Sequence, residues 1–65
     1  MSKPTVVLGD GNAFMIIGRC SKVAKRAGWS PEKWRKVKTE MMAGDYDHLL
    51  ATAQKHFDVE LEGEN

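Results

Sequence analysis

The chain reads as a mainly α protein: a compact three-helix domain with a short β-branched segment near each end. Three observations carry that reading. Apolar residues recur at helical spacing in three separate stretches, each stretch follows a side chain suited to capping, and two of them close on a glycine. With 65 residues the chain has room for one domain. A domain of about 60 residues buries only ~60% of the surface its unfolded chain exposes, so its core is thin.

The first helix opens at Gly9-Asp10-Gly11-Asn12, a turn signal in which the Asn12 side chain can accept an orphan backbone N–H. From there Ala13, Ile16, Ile17, Cys20, Val23, Ala24 and Ala27 fall on one stripe at ~100° per residue. Gly28 suits the left-handed position that ends a helix, so the expected span is 13–27. The second helix, 31–43, takes Ser30 as its cap and Pro31 at its first position, where a missing N–H costs nothing. Trp34, Val37 and Met41 form its narrow apolar stripe, with Met42 at the edge and Gly44 as the stop. Asp45 caps the third helix, 46–57, whose Tyr46, Leu49, Leu50, Ala53 and Phe57 recur at helical spacing. Asp45 and Asp47 also sit where the helix dipole favours negative charge.

The flanking segments are Thr5-Val6-Val7-Leu8, bounded by Pro4 and Gly9, and the alternating Val59-Glu60-Leu61. They could pair as a two-stranded ribbon that brings the termini close together. A two-stranded sheet is marginal alone and would lean on the helices. The expected core is Ile16, Ile17, Cys20, Ala24, Trp34, Val37, Met41, Leu49, Leu50, Ala53 and Phe57, and Glu62–Asn65 is expected to fray.

Composition narrows the function classes. The charged fraction of 29% and apolar fraction of 42% are those of a folded domain, not a disordered one. The longest apolar run, Ala13–Ile17, falls far short of the ~20 residues a membrane span needs. Met1-Ser2-Lys3-Pro4-Thr5 has one basic residue and no apolar run after it, so no secretory signal is expected. Cys20 is the single cysteine and has no partner for a disulfide or zinc knuckle. A reduced, cytosolic protein without membrane attachment is the expectation. Charge is unevenly spread: residues 19–38 carry eight basic side chains against Glu32, a net +7, while 39–65 carry Lys55 against seven carboxylates, a net −6.

Gly11-Asn12-Ala13-Phe14-Met15-Ile16-Ile17-Gly18-Arg19 and Gly44-Asp45-Tyr46-Asp47-His48-Leu49-Leu50 carry a resemblance. They are similar to a family of short, mostly uncharacterised proteins of bacteriophage and plasmid genomes. That family reads roughly GNAF-x-I-x-GR, RRAG, an acidic middle helix, SGDYDHLL and a final VE. The likeness runs from Val6 to Glu60 and implies a phage or mobile-element origin and a bacterial cytoplasm. It implies no chemistry. The chain departs from the pattern in its middle helix, where Glu32-Lys33-Trp34-Arg35-Lys36-Val37-Lys38 is basic.

Several groupings invite a functional reading, each beside a plainer one. The junction from Val23 to Val37 resembles a helix-turn-helix, with a small residue four before Gly28. Arg26, Lys33, Arg35 and Lys36 would then face nucleic acid; the plainer reading is an αα-hairpin. Arg19, Lys22, Lys25 and Arg26 lie opposite the first helix's apolar stripe and could bind phosphate or an acidic partner. The plainer reading is a solvated face neutralised by the acidic C-terminal third. Phe14, Met15 and Gly18 fall off the core stripe, and a mid-helix glycine costs ~1 kcal/mol against alanine. Either a partner docks there or Thr5–Leu8 folds over that flank.

Other signals are weak. Gly9-Asp10-Gly11 lacks the Lys-Ser/Thr pair and third glycine of a phosphate loop. His48 and His56 are eight apart, not the i, i+4 of helical metal ligands, and read as surface histidines. Cys20 sits mid-stripe without a base, and Ser21 and Tyr46 match no triad. So short a chain is expected to lack a substrate cleft of ~300 Å³ or more. The expectation is a non-enzymatic module with no cofactor or metal, acting on a host or phage protein through Phe14, Met15, Gly18, Arg19, Lys22, Lys25 and Arg26. The role would be host modulation or anti-defence, with self-association as a homodimer in keeping with the thin core. A small DNA-binding regulator is the alternative.

Overall fold

Every helix begins where a short polar side chain can take an orphan N–H. The computed structural model describes residues 3–9 and 12–61, in the order β1 (Thr5–Leu8), α1 (Ala13–Arg26), α2 (Pro31–Met41), α3 (Tyr46–His56) and β2 (Asp58–Leu61). Asn12 Oδ1 accepts from Met15 N at 2.9 Å, Ser30 Oγ from Lys33 N at 3.1 Å and Asp45 Oδ1 from His48 N at 2.9 Å. Asp10 and Gly11 of the expected turn, and the expected frayed tail Glu62–Asn65, lie outside the described residues.

Helix ends come slightly earlier than periodicity predicts, because the last apolar residue of each stripe serves the turn instead. Ala27 is the cap of α1, and Gly28 follows at φ +84°. Trp29 N–H reaches Ala24 O at 3.0 Å and Gly28 N–H reaches Lys25 O at 3.1 Å, the paired bonds of a left-handed helix stop. Past α2, Met42 caps and Ala43 N–H bonds Glu40 O at 3.2 Å, an i to i+3 tightening that excludes both from the regular helix. Phe57 takes extended dihedrals (φ −131°, ψ 156°) and turns the chain directly from α3 into β2.

The strands pair, and they pair in parallel: Thr5 opposite Asp58, Val6 opposite Val59, Val7 opposite Glu60, Leu8 opposite Leu61. β2 is one residue longer than the expected 59–61. Parallel neighbours cannot be joined by a tight turn, so the whole three-helix segment is the crossover between them. The ends of the fold share one sheet, offset by a strand length of roughly 10 Å at ~3.3 Å per residue.

β1 alternates, burying Val6 (1% exposed) and Leu8 (2%) against the helices. These two join Ile16, Cys20, Ala24, Val37, Met41, Leu49, Ala53 and Phe57 in the core. Ile17, Trp34 and Leu50, expected inside, are half-buried and pack against its edge. The single buried polar residue among those described, Thr52, donates its hydroxyl to His48 O at 2.9 Å. Phe57 stacks on Trp29 with ring centroids 4.9 Å apart, and Lys33 Nζ lies 4.4 Å from the Trp29 ring.

Glu40 ties α2 to α3. Its carboxylate accepts from His56 Nε2 at 3.1 Å and Lys55 Nζ at 3.2 Å, while its carbonyl meets His48 Nε2 at 2.9 Å. His48 and His56 therefore hold the α2–α3 end together and are not idle surface groups. The hydrogen bonds from His56 and then Lys55 hold the Glu40 carboxyl below its ordinary value.

Two predictions follow from this geometry. In a glycine series read by urea denaturation, Gly28→Ala should cost about 1–2 kcal/mol, since an L-residue is strained at positive φ. Gly44→Ala should also destabilise, because a Cβ there would stand 2.8 Å from His48 Cγ. Gly18→Ala should stabilise by about 1 kcal/mol, because nothing lies within 4 Å of a Cβ built on that helical glycine. The second prediction concerns pH. A carboxyl depressed on folding stabilises fully above the ordinary carboxylate range and loses that contribution as pH falls through its folded value. Thermal melts of Glu40→Gln should therefore fall below the parent at pH 7 and converge with it near about pH 3.

Candidate functional site

Turning Ile16, Cys20 and Ala24 inward leaves the opposite side of α1 to solvent. Phe14 is 83% exposed and Met15 51%, and Gly18 meets no neighbour. β1 does not fold over this flank. It lies beside Arg19, whose Nη1 donates to Val7 O at 2.9 Å, so the Arg19 head is turned to the strand, away from an outer partner. Lys22, Lys25 and Arg26 are exposed.

Two hollows lie along α1 and α2, one bordered by Phe14 and the other by Lys25. At one end, Phe14 and Ile17 face Met41, Met42 and Tyr46 around an apolar hollow of about 260 Å³. Met42 (57% exposed) and Tyr46 (45%) extend the patch that Phe14 begins. Met15, ~100° further round α1, lies outside it. At the other end, Trp29, Trp34 and Pro31 form the apolar lining of a hollow of about 290 Å³, with Lys25, Arg35 and Lys38 among its residues.

The residues expected to face DNA are only partly brought together. Arg35 lines the tryptophan hollow, Lys33 lies over the Trp29 ring, and Arg26 and Lys36 line neither hollow. Two contributors escaped the sequence reading. Trp34, expected in the core, and Lys38 line the tryptophan hollow from one face of α2, at i and i+4.

Among the described residues, Glu40 pairs with Lys55 and His56, and no carboxylate lies within ion-pair distance of Lys22, Lys25, Arg35 or Lys38. A third concavity, shallow and open to solvent, is bounded by Lys3, Pro4, Gly28, Trp29 and Lys33.

Buried Cys20 has its thiol pushed up to about 11 by desolvation, so it stays protonated at neutral pH. Among the described residues no three His, Cys, Asp or Glu side chains gather as metal ligands. No helix among them is long and apolar enough to cross a membrane. Comparison with protein-family models, curated proteins and solved structures gives no match to this chain.

Proposed function

We propose that the chain is a small protein-binding module whose anchor is Phe14. The carrying observation is its 83% exposure beside Met42 and Tyr46, around a hollow that already offers apolar walls. Burying a phenylalanine side chain is worth roughly 1.5–3 kcal/mol, and a chain with so thin a core forgoes that here. An exposed aromatic with a concave apolar neighbourhood is the form an interface centre takes, the ring entering a partner while the hollow receives an apolar side chain in return. Lys22, Lys25 and Arg26, on the same outer side of α1, orient an acidic partner and speed its encounter. Met15 and Gly18 border the same side, and the open space at Gly18 lets a partner backbone approach.

The resemblance of the segments Gly11–Arg19 and Gly44–Leu50 to phage and plasmid proteins supports a mobile-element origin, a host or phage protein as partner, and a modulating or anti-defence role in a bacterial cytoplasm. That step is analogy.

Affinity capture from bacterial lysate, with nuclease treatment, tests the reading. A specific protein should be retained after nuclease. Phe14→Ala should weaken its capture about 30-fold or more, the scale of an interface anchor. Its melting midpoint should barely move, since the ring packs little in the free chain. Capture unchanged by Phe14→Ala would sink the proposal. Concentration-dependent dimerisation lost in the same variant would identify a second copy of the chain as the occupant.

A further inference from the structure

We propose that the α1–α2 turn carries a second, separate site: a cationic track lined by tryptophan that takes a single strand of nucleic acid. The tryptophan hollow and the third concavity share Trp29 and Ser30, so they form one continuous surface across the turn. Five cationic side chains line it: Lys25, Arg35 and Lys38 on one side of Trp29, and Lys3 and Lys33 on the other. Among the described residues no carboxylate lines either part. Lys3 is held in place by donating to Gln54 O at 3.0 Å, a neutral partner that leaves its charge uncompensated.

This site differs from the helix-turn-helix expectation in residues and in ligand. A duplex hides the faces of its bases, and two of the four cations expected to meet it, Arg26 and Lys36, line neither part of the track. A single strand exposes both its phosphates and its bases. Proteins that hold single strands combine a positive groove that follows the backbone with aromatic rings against which bases stack. Both tryptophans of the chain lie in this track, and they lie beside its cations. Phe57 and the Lys33 ammonium already lie against the Trp29 ring, so Trp34, which lines the hollow from α2 next to Arg35, is the ring available to a base. An acidic peptide could satisfy the charges but would leave the Trp34 indole without a matching role.

The chain's two tryptophans make its intrinsic fluorescence a direct readout. The full chain is titrated at ~50 mM salt with a mixed-sequence 20-mer as single-stranded DNA, as single-stranded RNA and as duplex, and with polyglutamate. The single strands should quench the fluorescence and bind in the micromolar range. Log affinity should fall against log salt with a slope of about −2 to −3, at ~0.7 per phosphate neutralised. Arg35→Glu with Lys38→Glu, both exposed, should weaken binding at least tenfold with the helical spectrum intact. Phe14→Ala should leave it unchanged, which separates this site from the protein-binding one. Absence of quenching up to roughly 100 µM protein would overturn the proposal. So would duplex or polyglutamate binding as tightly as the single strands, or affinity unmoved by the double charge reversal.

Discussion

The stack of Phe57 on Trp29 joins parts of the chain that the sequence keeps far apart. Phe57 is the residue at which α3 becomes β2, and it is 1% exposed. Trp29 is the residue that completes the left-handed stop of α1 and leads into α2. With the rings 4.9 Å apart, the α1–α2 turn is set against the end of α3, and β2 is delivered alongside β1. Aromatic pairs of this kind contribute about 0.5–1.5 kcal/mol beyond their area burial, a sizeable share of the margin for a small domain.

The same constraint shapes the surface. Parallel pairing of β1 with β2 makes all three helices the crossover between the strands, and the side of α1 opposite Ile16, Cys20 and Ala24 is left uncovered. The side away from the sheet keeps Phe14 and Met15 in solvent, and the α1–α2 seam keeps an apolar end and a cationic end. Glu40 is drawn to Lys55 and His56, so the nearest carboxylate on α2 does not quench the charges of that helix's outer flank. Exposure and charge separation are thus consequences of the topology as much as of composition.

Much of the fold was legible because its signals are local. Caps at Asn12, Ser30 and Asp45 depend on side chains three residues from the N–H groups they satisfy, and Gly28 on its own φ. Helical stripes name Ile16, Cys20, Ala24, Val37, Met41, Leu49, Ala53 and Phe57 without reference to any partner. The candidate surface was half legible: Phe14 and Met15 stand off the stripe by spacing alone, but their neighbours Met42 and Tyr46 belong to other helices.

Spacing within about one or two turns therefore fixes the set of helices, their starts and most of the core, and it sets Phe14 off the apolar stripe of α1 without saying whether another segment covers it. Tertiary structure alone decided the rest. It paired the strands in parallel and added Val6 and Leu8 to the core, because which face of a four-residue strand is buried depends on what packs against it. It turned Arg19 to Val7, His48 and His56 to Glu40, and Trp34 into a groove wall. Each of these choices is a contact between distant segments, and no periodicity along one segment records where another will lie.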